Sequence, residues 1–429
     1  MSADSSARTH TPLDIGWVRA QFPSLRLTVN GNPAAFLDAP AGTQVPQQVI
    51  DAVRDYLLND NANTAGSFLT SRRTDAMLAG AHEAMADFLG CDRDELFFGQ
   101  NMTTLTFAFS RAIGRDLNAG DEILTTTLDH DANVAPWRAL EEHGIVVRQA
   151  DVRTEDCTLD MDDLRGKITS RTRLIAVGYA ANAVGTINNV AEVVRLAHHA
   201  GALCFVDAVH YAPHGPIDVR ALDCDFLACS PYKFFGPHQG VIYGKREHLR
   251  RLRAYKVRPA PDCLPDRWET GTLCHENIAG VAAAVNYIAS IGRRAVPNLP
   301  DTPGAGRREA ILAAYRVIRE YEGGLARKMI AGLVEIPGLT FYGISDPARF
   351  DWRVPTVGIR MSRAKPAKIA SYLGDRGIFT WDGNYYAVNL TERLGVESDG
   401  GLLRIGLVHY NTAEEVERLL GALRELAAR

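Results

Sequence analysis

Several absences bound what this chain of 429 residues can do. No apolar run approaches the roughly 20 residues of a membrane-spanning helix, and the polar start MSADSSARTHTPLD lacks the hydrophobic segment of a secretion signal. Cysteine is sparse and unpatterned. The seven residues (Cys91, Cys157, Cys204, Cys224, Cys229, Cys263 and Cys274) show no metal-ligand spacing, and none follows position 274. No metal site is therefore expected. Several of these thiols lie in apolar stretches, where a free cysteine behaves as a small hydrophobe. A reducing cytoplasm fits that usage. Neither GxxxxGK[ST] nor a well-placed GxGxxG occurs, which argues against a nucleotide-binding α/β protein. Charge of either sign is not in excess: 47 Lys and Arg face 51 Asp and Glu, a net −4. Nothing in that balance calls for nucleic acid or a membrane surface as partner. Internal repeats and low-complexity tracts are absent as well.

What is present is an ordinary globular composition, 46% apolar and 23% charged, in a chain long enough for two domains. Residues 13–24 read as a short helix ended by Pro23, with 1–12 expected to be disordered; 45–88 read as mainly helical. The centre alternates short strands with amphipathic helices, the pattern of a largely parallel sheet. In 174–206, a strand at 174–179 precedes a helical face of Val190, Val193, Val194 and Ala197, Gly201 stands as a C-cap, and a strand resumes at 203–206. The Pro-, Gly- and Arg-rich stretch 293–308 reads as a loop. A long helix over about 309–333 follows, then alternating segments near 338–343, 353–361 and 403–408, then a charged C-terminal helix.

The most pointed segment is 202–244, where two apolar strands end on chemically distinctive residues. One stops at Asp207, the other at Ser230-Pro231-Tyr232-Lys233. Catalytic groups of α/β sheets collect at the ends of parallel strands. A lysine and a carboxylate so placed suit pyridoxal 5'-phosphate, which needs an amine for its aldehyde and an anion for its pyridine nitrogen. Upstream, Met102, Leu105, Phe109, Ala112 and Ile113 mark a buried helical face, so a helix begins near Asn101 to Thr104. Its free amides would form an anion site.

Six segments in order, LDAPAGTQ, GDEILTTTLDHDANVAPW, AANAVGT, the lysine region, RWETGT and LRIGLVHYNTAEEV, resemble the class V (fold-type I) aminotransferases, specifically their cysteine desulfurase and selenocysteine lyase branch. The resemblance implies a large domain (26–292) with a mainly parallel seven-stranded sheet and a smaller α+β domain (293–429), against which residues 1–25 pack. Lys233 would carry the cofactor and move protons at the substrate α-carbon. Asp207 would hold the pyridine nitrogen, and His130 would stack on the ring and act in catalysis. Asn182 and His210 would contact the phenolic oxygen, Asn182 serving the substrate carboxylate as well. Asn101, Met102, Thr103, Ser230 and Tyr232 would hold the phosphate. Thr272 would reach the phosphate of a second subunit, which implies a homodimer with shared active sites. Arg404 would grip the carboxylate of an α-amino acid substrate.

Two departures from the family pattern shape the expected chemistry. Asp131 stands where relatives often carry a second histidine. In the segment Thr380 to Ala387, Tyr386 occupies the place of the cysteine that attacks substrate sulfur from a mobile loop, and a phenol cannot replace a thiolate there. Cys274 lies near Thr272, but its local sequence does not resemble that loop. The expected activity is C–S lysis by β-elimination on a cysteine-derived amino acid without a loop persulfide. Transamination or epimerisation is the second reading. A retired, non-catalytic cofactor-binding module is a third, against which the joint presence of Lys233, Asp207 and Arg404 argues. Trp381, Tyr385 and Tyr386 would suit a substrate larger than cysteine, or pack as a simple loop.

Overall fold

The structure, a computed structural model, describes residues 11–429. Its centre is a seven-stranded sheet of β1 (Leu96–Gly99), β2 (Glu122–Thr126), β3 (Val146–Ala150), β4 (Thr172–Gly178), β5 (Leu203–Asp207), β6 (Phe226–Cys229) and β7 (Gly240–Gly244). The order is β1-β7-β6-β5-β4-β2-β3. Only β7 runs antiparallel to its neighbours. Strands β5 and β6 have no polar alternation because both of their faces are covered, as parallel sheets require. Phe205 and Phe226, paired in register, point to one face and pack with Phe109 and Trp137. Val206 and Leu227, the next pair, enter the opposite core with Val193 and Val194. That second core contains the helix Val190–His199, whose start Asn189 caps by accepting from Glu192 N–H.

A second, antiparallel sheet has the order β8-β9-β11-β10, from β8 (Leu339–Tyr342), β9 (Thr356–Met361), β10 (Trp381–Gly383) and β11 (Leu402–Gly406). The helix Ala305–Val334 buries Leu325, Met329, Ile330 and Leu333 in one core with Val357 and Ile359 of β9 and Ile405 of β11. Its first half lies along the helix His275–Ala295. A Cβ at Gly292 would sit 1.8 Å from Ala310 O, so the two backbones meet there and only glycine fits.

Most element boundaries fall within a few residues of the sequence reading, and three differ with a physical reason. The N-terminal helix is Ile15–Ala20 and stops before Pro23, which instead opens a 3₁₀ turn, Pro23–Arg26. The loop expected at 293–308 is shorter, because helices extend to Ala295 and from Ala305. The segment from Thr380 contains the edge strand β10, paired with β11. Of the stretch 1–12, residues 1–10 lie outside the described residues. Trp17 stacks on Tyr287, and Arg19 donates to Tyr410 O and Glu415, which ties the N-terminal helix to both the long helices and the C-terminal segment.

Candidate active site

The C-terminal ends of β2, β4, β5 and β6 open on one cavity of about 1140 Å³, closed from the other side by β10, β11 and the segment between them. Asn101, Met102, Thr103, His130, Asn182, Asp207, His210, Ser230, Tyr232, Lys233, Tyr386 and Arg404 all line it. Thr272, expected to serve a second subunit, does not line the cavity of its own chain.

Three tight approaches shape the floor. Asn101 caps the helix Met102–Gly114 by accepting from Thr104 N–H at 2.8 Å, so the first amides of that helix are left for another acceptor. Gly240 of β7 permits this. A Cβ there would lie 2.4 Å from Asn101 C and 2.7 Å from Met102 N. Lys233 follows β6 in a single turn, Pro231–Lys233, and its Nζ donates to Pro40 O. Arg404, on β11, donates to Asn182 O at 3.1 Å while its guanidinium lies 4.2 Å from the centre of the Tyr385 ring.

Burial sets the electrostatics. Lys233 is pushed down to about 7, first by desolvation and then by Arg404, against the pull of Asp207 and Asp38. Arg404 falls to about 10 because it is buried. Asp207 is raised to about 6 by burial, although Val209 N–H donates to it at 2.9 Å. His130 drops to about 4 through burial and the charges of Lys233 and Arg404. His210 is also driven well down, chiefly by burial, and its Nε2 lies 3.1 Å from Thr356 Oγ1. Without a bound anion the pocket therefore holds an amine near neutrality and two neutral imidazoles. Such perturbed groups in one cleft mark a chemical site.

Several lining groups lay beyond the sequence reading. Asp129 accepts from Thr126 N–H and Oγ1 and from Asn133, and burial together with Asp207 raises it to about 7. His238 stacks on Tyr232 with centroids 5.0 Å apart. Asp38 does not line the cavity but lies close enough to act on both Lys233 and Arg404. It is raised to about 6 by burial, and its Oδ1 has no partner. The mouth is aromatic: Tyr386 lies 5.3 Å from the His130 ring and is 71% exposed, and Trp381 is half exposed. No cysteine lines the cavity.

A buried carboxylate, a buried lysine, free helix amides and an unpartnered, buried Asn182 Oδ1 fit the needs of a pyridine, an aldehyde, a phosphate and a polar donor. Fold and site together define a pyridoxal-phosphate-dependent enzyme of fold-type I. The model of the aminotransferase class-V family matches residues 35–301 and 310–419, and the chain belongs to that family. It is similar to a cysteine desulfurase of Dickeya dadantii, 31% identical over 97% of each chain. An aminotransferase-like protein, FGM3, of Gibberella zeae is 30% identical over 95% of this chain and 96% of that one. The apo structure of a cysteine desulfurase from Thermococcus onnurineus NA1 superposes with a TM-score of 0.83 at 26% identity, covering 95% of this chain and 98% of the other.

Proposed function

We propose that this enzyme is a C–S lyase that releases a thiol from a cysteine-derived amino acid by β-elimination, without a persulfide on the loop. The observation that carries the reading is the cavity mouth, where Tyr386 stands over His130 and no thiol lines the pocket. Cys274 does not line it either, and burial and Glu276 raise that thiol away from the thiolate. Bound in the cavity, pyridoxal phosphate supplies the aldehyde and an electron-accepting ring. The residues do the rest. Asp207 holds the pyridine nitrogen protonated, and the amides at Met102 and Thr103, with Ser230 and Tyr232, hold the phosphate. Arg404 takes the substrate carboxylate beside Asn182. The free amine of Lys233, near neutrality, accepts the α-proton as the Cβ–S bond breaks, and the thiolate leaves with a proton. Water then completes the balance: one S-substituted cysteine and one water give thiol, pyruvate and ammonium.

We further place Thr272 in the cavity of a second copy, which makes the working unit a homodimer, and divide the chain into 26–292 and 293–429 with 1–25 packed on the latter. Contacts of Arg19 with Tyr410 and Glu415 and the gap in the family match between 301 and 310 support that division, while the Trp17–Tyr287 stack ties the N-terminal helix to 26–292 as well. Product analysis over S-substituted cysteines, alanine and larger amino acids tests the reaction. Thiol with pyruvate is expected. Cyanide-releasable sulfur on the protein, lost in Cys274→Ser, would restore a desulfurase. A keto acid with an intact skeleton, formed with the pyridoxamine form of the enzyme, would instead establish transamination, the reading that the fungal relative's name favours.

A further inference from the structure

The cavity sorts its charges by depth. Its cationic side chains, Lys233 and Arg404, sit on the buried floor, and Arg404 is only 5% exposed. The remaining lining contains no lysine or arginine but includes Asp131, Asp382 and Glu397. Glu397 is engaged, accepting from Asn384 Nδ2 at 2.8 Å and from Thr391 Oγ1. Asp131 and Asp382 have no ion pair with a cation among the described residues. Two aromatic rings, Trp381 and Tyr386, stand exposed beside them.

The backbone is held in an unfavourable state at the second of those rings. Tyr385 and Tyr386 have φ of 55° and 59°, and two bulky residues in the left-handed region cost about 1–2 kcal/mol each. Strain of this kind persists where a site requires it. The cavity of about 1140 Å³ has to hold pyridoxal phosphate as well as the substrate. Asn182, on the floor, is 8% exposed and its Oδ1 has no partner. An α-amino acid anchored by Arg404 would extend its side chain toward the acidic, aromatic mouth.

We propose that Asp131, Asp382, Trp381 and Tyr386 select S-substituted cysteines whose substituent is positively charged. The two carboxylates supply the field, and the ring faces hold an ammonium or guanidinium by cation–π attraction, each such contact contributing about 0.5–2 kcal/mol. An anionic substituent meets uncompensated carboxylates and is rejected. The substrate class rests on the C–S lyase reading, whereas the charge preference of the mouth does not.

Three substrates of similar length test this: S-(2-aminoethyl)-, S-propyl- and S-(2-carboxyethyl)-L-cysteine, followed by substrate consumption so that the ranking is independent of the product. The aminoethyl compound should exceed the propyl compound in kcat/KM by about tenfold or more, and the carboxyethyl compound should be the poorest. The aminoethyl-to-propyl ratio should fall with added salt and fall several-fold, though not to one, in the double variant Asp131→Asn, Asp382→Asn, because the rings remain. If the double variant does not fold, each single variant should lower the ratio by about threefold. A ratio of one or below in the wild type, or a ratio unchanged in these variants, would overturn the proposal. Preference for the aminoethyl compound with an intact keto acid as product would uphold it and overturn the lyase.

Discussion

At the scale of single residues, the site works by burying charges that oppose one another. Asp207 must be anionic to hold a pyridinium, yet its burial raises it to about 6, so the cofactor's own positive charge must complete its ionisation. Replacing it by Asn should leave the fold intact and lower turnover by several orders of magnitude; near-normal turnover would mean the ring is held differently. Asp129 offers a stability test. Its folded value near 7 lies above the ordinary 3.8, so between those values the folded protein binds more protons than the unfolded chain. Stability from this group is full below about 4 and is lost as pH rises to about 7. In cofactor-free protein, Asp129→Asn should therefore gain on the wild type across that window, by about 4 kcal/mol at most, and hold a constant difference above it. Denaturant midpoints at several pH values read this directly. Lys233 and Asp207 were legible because each ends an apolar run. Asp129 was not, since it follows β2 while Asp207 ends β5, and only the fold sets the two carboxylates against each other.

At the scale of elements, the phosphate cradle depends on how closely one helix meets one strand. The buried face of the helix Met102–Gly114 and its start at Asn101 were legible from the 3.6-residue spacing. The need for Gly240 was not, because it arises from a contact between segments 139 residues apart in number. In Gly240→Ala the new carbon meets backbone atoms that no rotamer change can move aside. Cofactor affinity should fall by about tenfold or more, with about 1–3 kcal/mol of lost stability. Gly166→Ala, with nothing within 4 Å, is the control and should leave affinity unchanged. Equilibrium dialysis with pyridoxal phosphate separates the two. Strand β10 escaped the sequence reading for a related reason. Trp-Asp-Gly is too short to show alternation, and only its pairing with β11 makes it a strand.

At the scale of the whole molecule, two sheets and the long helices bring residues from several strand ends and loops into one cavity. The proposed second subunit is tested through Thr272. If Thr272 serves the partner's cavity, a heterodimer of Lys233→Ala and Thr272→Val protomers contains one fully wild-type site. Mixing and reassociating the two variants should then restore activity toward about a quarter of the wild type, the statistical yield of such sites in randomly paired dimers. No recovery despite verified subunit exchange would place Thr272 outside the partner's cavity. No helix among the described residues is long and apolar enough to cross a membrane.

The central claim is that the cavity at the ends of β2, β4, β5 and β6 holds pyridoxal phosphate through Lys233. Reduction of the holoenzyme with borohydride, digestion and peptide mapping tests it most directly. The pyridoxyl label should be found on Lys233. A label on Lys245 or Lys256, with Lys233 unmodified, would contradict the assignment of the site.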